Sequence, residues 1–143
     1  MEKKGQANDA FLFRRIIAGA IDYLIVFIIF FVLLYFFGVP SKNGGYKLSG
    51  FPALLMISCW LFITIGAEYF FGSTLGNSIC GLKPISLSSD DEKLKFTQSL
   101  KRHLLDVIDM ALFGLIGILL ITNTDKNQRL GDIWAKTSVV KRV

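Results

Sequence analysis

Two long apolar runs, each interrupted by a single charged residue, constrain this chain of 143 residues more than any other feature. Residues 16–37 contain Asp22 as their only charge, and residues 51–71 contain Glu68 as theirs. At about 1.5 Å per residue, either run could cross a hydrocarbon core of about 30 Å as a helix. Because the chain is 52% hydrophobic and has a positive mean hydropathy, we predict a small integral membrane protein.

A third apolar run covers residues 104–122 and differs from the others because Asp106 and Asp109 lie near its start. It could span the bilayer, lie partly in the interface or re-enter the side from which it came. The pattern therefore predicts an all-α membrane protein, a bundle of about three hydrophobic helices in a single domain, residues 1–143. Its parts are helices at about 16–37, 51–71 and 104–122, a loop at 72–103 and a basic tail at 123–143.

Basic residues around the apolar runs predict the topology. Four precede the first run, two lie between the first and second, and five lie between the second and third. Since positive charges collect in cytoplasmic loops, we predict that the N-terminus and the loop 72–103 are cytoplasmic. Five more basic residues follow residue 122, and a third full span would place them outside. The side of the tail therefore stays open.

Several other classes of protein fit the sequence poorly. The first apolar run is too long for a secretory signal peptide, and no small-residue cleavage site follows it. The net charge of +5 comes from residues that flank apolar runs, which argues against nucleic acid as a partner. Cys59 and Cys80 fall at different depths, which argues against a disulfide or metal pair. The one histidine, His103, is expected at the membrane interface, and we expect no enzyme activity, metal or cofactor.

The loop between the second and third runs predicts two elements. Alternating residues from Lys83 to Leu87 favour one strand of a small hairpin, with Asp90 and Asp91 at its turn. A helix at the membrane surface is predicted from apolar residues at helical spacing opposite two basic ones, namely Phe96, Leu100 and Leu104 against Lys101 and Arg102. In the tail, the sequence TSVV fits either an extended piece or the end of an interfacial helix.

Carboxylates inside apolar runs suggest a site, because a charge in hydrocarbon is costly unless it is paired, hydrated or protonated. Four acids, Asp22, Glu68, Asp106 and Asp109, face one base, Arg15, unless Arg102 or Arg129 also turns inward. A surplus carboxylate could bind a proton or a cation. The alternative is that the charges only fix the packing of the helices. Ala18 and Gly19, between Arg15 and Asp22, would let a neighbouring helix approach closely.

Three separated blocks resemble the RDD family of small prokaryotic membrane proteins, which is named for an arginine and two aspartates. RRIIAGAIDYLI supplies the arginine at Arg15 and the first aspartate at Asp22. GSTLGNSICGLKPI, with SLKRHLLDVID after it, is similar to the family's central segment, and NQRLGDIWAKTSVV places the second aspartate at Asp132. The chain departs from the family pattern at Asn77, where lysine is usual, and at Lys136, where glycine is usual.

The resemblance implies a multi-pass protein of the bacterial inner membrane that transports a small ion, with cation/proton exchange as one form. It implies a polar cluster of Arg15, Asp22 and Asp132. The expected supporting residues are Glu68, Asp106, Asp109, Arg129 and Gln128, and the loop motif is Thr74, Gly76 and Gly81. Besides the lipid bilayer, the expected partners are a monovalent cation or proton and a second copy of the chain or an accessory membrane protein. The alternative is a non-transporting structural or accessory subunit, whose charges set helix packing and dock a partner or lipid.

Overall fold

A computed structural model of the chain describes residues 2–109, 115–124 and 127–142. The first helix, α1, covers Glu2–Phe37, and its apolar part Phe11–Phe37 is long enough to span a membrane. A short hairpin of β1 (Val39–Pro40) and β2 (Tyr46–Lys47) follows. The first predicted span is thus confirmed as a helix, and it begins earlier than the apolar run does.

The second apolar helix runs from Phe51 to Phe71 without a break, as the sequence predicts, but it changes its winding. It consists of α2 (Phe51–Leu61), a π-helical turn (Phe62–Gly66) and α3 (Ala67–Phe71). Gly72 ends it in the left-handed conformation, with φ at 79°. A π-helical turn inserts an extra residue into an α-helix and is frequent at functional sites. Thr64, inside the turn, and Glu68, just after it, are both buried.

The remaining described elements surround one end of these two helices. They are α4 (Leu75–Ile79), β3 (Leu82–Ser86), α5 (Phe96–Leu104), α6 (Asp106–Asp109), α7 (Leu115–Asn123), α8 (Leu130–Ala135) and β4 (Thr137–Lys141). The strand predicted near Lys83 is confirmed, but its expected local hairpin is wrong. β3 pairs antiparallel with β4, from Leu82 opposite Lys141 to Ser86 opposite Thr137, so TSVV is a strand. A largely helical fold therefore carries a β3–β4 ribbon at this end.

The third apolar run is described as α6 and α7, and residues 110–114 lie outside the described part. Arg129, seven residues beyond the run, lies beside the start of the run, because Arg129 Nη1 is 3.3 Å from Asp106 Oδ1.

Burial is distributed in an unusual way, since most of the deeply buried side chains are polar. On α5 the buried residues are Gln98, Ser99, Arg102 and His103, whereas Phe96 and Leu104 are about half exposed. The predicted apolar stripe of this helix thus faces outward. Only 22% and 17% of the best apolar windows of the two long helices are buried. An apolar exterior around a polar interior is the arrangement expected of a protein in a bilayer.

Candidate functional site

Asp132 is the centre of a buried charge network. The network consists of Arg15, Glu68, Arg102, His103, Asp106, Arg129 and Asp132. The Asp132 side chain is fully buried, and its oxygens lie 2.7 Å from Arg15 Nη2 and 2.9 Å from Arg102 Nε. Arg129 Nε is 3.9 Å away, and the backbone N–H of Arg129 donates to Asp132 at 3.0 Å. Asp132 therefore caps the start of α8 and joins this helix to α1 and α5.

The segment RLGD brings α8 close to α5. A Cβ atom added to Gly131 would lie 2.5 Å from the carbonyl oxygen of Arg102, so a larger residue would push the two helices apart. Gln128, just before this segment, donates from Nε2 to the carbonyl oxygen of Thr137, which fixes the start of β4. Arg15 Nη1 also donates to the carbonyl oxygen of Asn127. Glycine and the polar residues beside it thus position Asp132.

A second carboxylate of the network, Glu68, faces three residues on the same side of α5. Ser99 Oγ donates to Glu68 at 2.7 Å, Arg102 Nη1 lies at 3.0 Å and His103 Nε2 at 3.3 Å from its oxygens. These residues are three and four positions apart, the spacing that places side chains on one helical face. The π-helical turn ends at Gly66, two residues before Glu68. α3 and α5 are therefore joined by Glu68.

The third carboxylate, Asp106, connects α6 to the first helix and to the tail. His103 Nδ1 is 2.7 Å from Asp106 Oδ2, and the hydroxyl group of Tyr23 donates to the same oxygen at 2.8 Å. Arg129 Nη1 lies 3.3 Å from the other oxygen. Each of the three carboxylates is therefore contacted by at least two basic side chains.

The pairing of these groups determines their charge. Burial alone would raise the pKa of Asp132, but Arg102, Arg15 and Arg129 outweigh burial and hold this pKa far below its ordinary value. Burial alone would lower the pKa of His103, but Glu68 and Asp106 outweigh it and raise this pKa to about 9. His103 is therefore an imidazolium at neutral pH.

Asp22 lies apart from these ion pairs, although it is only 7% exposed. Its Oδ1 accepts a hydrogen bond of 2.7 Å from the backbone N–H of Gly76, and the Thr74 side chain also interacts with it. No basic side chain among the described residues lies within ion-pair distance of Asp22. It is thus a buried carboxylate held by neutral donors.

The loop motif explains this contact. Thr74 caps α4 by accepting from the backbone N–H of Asn77 at 3.3 Å. A Cβ atom added to Gly76 would overlap the carbonyl oxygen of Ala18 and lie 2.9 Å from Asp22 Cγ. Gly81, with φ at 66°, makes the turn between α4 and β3. Ala18 therefore forms the predicted close approach, whereas a Cβ added to Gly19 would meet no atom within 4 Å.

The structure gathers most of the predicted site residues and corrects two expectations, the place of Asp22 in the cluster and the surplus of carboxylates. It joins Arg15 and Asp132 to Glu68, Asp106 and Arg129, and it keeps Asp22 separate. The prediction of surplus carboxylates is wrong for Glu68 and Asp106, because Arg102 and Arg129 turn inward and pair with them. His103 is 5% exposed and bridges the carboxylates of Glu68 and Asp106. The side chain of Asp109 lies outside the described part.

Sequence reasoning missed the roles of His103, Ser99 and Tyr23. The sequence S-x-x-R-H on α5 could have indicated them, since its polar residues share one face. No group of three or more His, Cys, Asp or Glu side chains suited to a metal ion occurs within residues 2–109, 115–124 and 127–142.

Comparisons with known proteins agree with the blocks seen in the sequence. The model of the RDD family matches residues 10–136, which is most of the chain. Neither a curated protein nor a solved structure matches the chain significantly.

Proposed function

Because the chain belongs to the RDD family, we propose that it is a multi-pass protein of the bacterial inner membrane that carries a small ion across the bilayer. The ion is a proton or a monovalent cation, and Asp22 binds it. The charge network is the frame that holds the helices around Asp22. In this proposal the protein is a transporter and not an enzyme.

The observation that carries the proposal is the environment of Asp22. It lies within an apolar helix long enough to span a membrane, is almost completely buried and has no ion-pair partner among the described residues. An intramembrane carboxylate of this kind is costly and generally marks an ion or proton pathway. Glu68, Asp106 and Asp132 are already occupied by basic groups, so among the buried carboxylates that the structure describes the ion-binding role falls to Asp22.

The proposed orientation places the charge network at the cytoplasmic end of the helices. The positive-inside rule favours this end, which carries Arg14, Arg15, Arg102 and Arg129. The β3–β4 ribbon joins the loop to the tail, and the Arg15–Asp132 ion pair joins the tail to α1. Arg129 of the tail also lies beside Asp106, at the start of the third apolar run. A re-entrant third segment and a cytoplasmic C-terminus follow, so the tail no longer violates the rule.

Transport by this chain requires more than one copy. Beyond Asp22, α1 continues to Phe37 with Tyr23 and Tyr35 as its only side chains that carry a hydroxyl group. Most of the apolar surface of the two long helices is exposed. We therefore propose a homo-oligomer, in which a second copy covers part of this surface and completes the route.

The test is ion flux in liposomes that contain purified protein. We expect the wild-type protein to dissipate an imposed proton gradient, followed with a dye enclosed in the vesicles, in the presence of sodium or potassium ions. Asp22→Asn keeps the size and the acceptor for Gly76 but cannot ionise, and it should reduce the flux to that of empty liposomes. Asp90→Asn, an exposed loop change, is the matched control. Equal flux in wild-type and empty liposomes would reject transport.

The pairing within the network favours a second candidate, a structural or accessory membrane subunit. Seven ion-pair contacts connect α1, α3, α5, α6 and α8 and their flanking residues, and they leave no surplus acid in the network. For such a subunit, the charges fix helix packing and the basic ribbon docks a partner or lipid. Correctly folded wild-type protein would then show only background flux, and Asp22→Asn would change nothing.

A further inference from the structure

A basic groove lies where the second apolar helix ends. It has a volume of about 810 Å³ and is bounded by Tyr69–Ser73, by the β3–β4 ribbon and by Glu92–Leu94. Binding sites for small molecules fall in the range of about 300–1,000 Å³. The groove lies outside the charge network, touching it at Glu68, and none of the family blocks assigns it a role.

Four exposed cations line the groove: Lys83, Lys93, Lys141 and Arg142. None of them forms an ion pair with any other residue that the structure describes. Glu92 is the exposed acid of the lining, since Glu68 is already paired with Arg102 and His103. The mouth of the groove therefore carries a clear excess of positive charge, which is complementary to a phosphate group.

Aromatic side chains lie beside these cations. Tyr69, Phe70 and Phe71 line the groove and are 49%, 69% and 73% exposed. Phe96 of α5 packs edge-on against Tyr69, with ring centroids 5.9 Å apart. Aromatic residues are enriched at the level of the lipid headgroups, and basic residues just beyond that level attract anionic lipids. The groove thus presents an apolar edge to the bilayer and a cationic edge to the water.

We propose that this groove binds the headgroup of an anionic phospholipid from the surrounding leaflet. The phosphate lies among Lys83, Lys93, Lys141 and Arg142, and the acyl chains pass along Phe70 and Phe71. A lipid fits better than a soluble phosphate compound, because the aromatic edge belongs to a helix that is itself apolar enough to span the membrane. The inference does not depend on whether the protein transports an ion.

The experiment measures lipid binding to the purified full chain in a neutral detergent. Phosphatidylglycerol and phosphatidylcholine are titrated separately, and bound lipid is counted by native mass spectrometry. We expect saturable binding of phosphatidylglycerol in preference to phosphatidylcholine. The double variant Lys83→Gln/Lys141→Gln should weaken phosphatidylglycerol binding by about thirtyfold, since each of the two cations near an anionic lipid contributes about 1 kcal/mol. Both positions are exposed, so the variant should fold.

The matched control is Lys42→Gln/Lys47→Gln, which removes the same charge from the exposed hairpin that joins the two long helices. We expect it to bind phosphatidylglycerol as the wild type does. An equal loss in both double variants would overturn the proposal, because net charge alone would then govern binding. Unchanged binding by Lys83→Gln/Lys141→Gln would also overturn it. Displacement of the lipid by excess inorganic phosphate would instead assign the groove to a soluble phosphate compound.

Discussion

The resemblance assigns Asp22 and Asp132 as the two aspartates of the family pattern, yet the two residues have opposite surroundings. Asp132 is fully buried, and its two oxygens contact three guanidinium groups. Asp22 is 7% exposed and accepts a hydrogen bond from a backbone N–H group, with no base within ion-pair distance among the described residues. Asp132 is therefore held as an anion by basic side chains, whereas Asp22 is held in place by neutral hydrogen-bond donors.

In the proposed function, this difference separates a structural role of Asp132 from an ion-binding role of Asp22. A carboxylate shared by three arginines cannot release them without leaving buried charges unpaired, so Asp132 suits a permanent structural link. A carboxylate held by neutral donors can gain or lose a proton or a cation while its backbone contact persists. In the proposed function, Asp132 therefore belongs to the frame and Asp22 to the ion-binding site.

The largest expected effect is that of Asp132→Asn. The substitution leaves Arg15, Arg102 and Arg129 around a neutral amide in a buried site. Removing one partner of a buried ion pair costs about 3–5 kcal/mol, so we expect a large fall in the midpoint of thermal unfolding in detergent, or failure to fold. Asp90→Asn in the exposed loop should leave the midpoint unchanged. Equal midpoints for the two variants would mean that Asp132 is not the centre of the frame.

His103 should make the stability depend on pH. Its pKa is raised from 6.5 to about 9, so its stabilising effect is complete below pH 6.5 and is lost as the pH rises through 9. The shift corresponds to about 3 kcal/mol. Thermal unfolding midpoints should fall between pH 6.5 and 10, and His103→Gln should remove most of this dependence. Asp132 stays ionised throughout this range, so an unchanged slope in His103→Gln would contradict the assignment.

The next largest effect on stability is expected where α4 packs closely against α1, beside Asp22. Gly76→Ala adds a Cβ that would overlap the Ala18 carbonyl oxygen, so α4 must move away from α1. Such overpacking costs about 1–3 kcal/mol. Gly19→Ala is the matched control, because the added Cβ meets nothing and alanine favours a helix. Thermal unfolding should rank Gly76→Ala below the wild type and Gly19→Ala at or above it; the reverse order would contradict the packing.

The sequence was sufficient for features that depend on neighbouring residues. The second helix covers residues 51–71 as predicted, because length and hydropathy define an apolar helix locally. Reasoning about charges in apolar runs predicted that Arg15, Glu68 and Asp106 lie at one end of the helices, whereas Asp132 and Arg129 were expected there from the resemblance to the family. The fold class was right in its main part, since the chain is largely helical with two long apolar helices.

Features that depend on distant residues could not be predicted. β3 pairs with a strand nearly sixty residues away, and local alternation does not show which partner a strand has. The sequence predicts Arg102 on the polar face of a surface helix because basic residues usually face water. In a helix whose apolar side faces outward, the polar side is buried, and that choice depends on tertiary contacts with Glu68 and Asp132.

The smallest expected change in stability is that of Asp22→Asn. The amide oxygen still accepts the hydrogen bond from Gly76, and no ion pair with a described residue is lost, so we expect a cost below about 1 kcal/mol. Asp22→Ala removes the acceptor and should cost about 1–3 kcal/mol, because the Gly76 N–H is then buried without its partner. Thermal unfolding of both variants gives the comparison. If Asp22→Asn were as damaging as Asp132→Asn, Asp22 would belong to the frame, and the division between the two aspartates would fail.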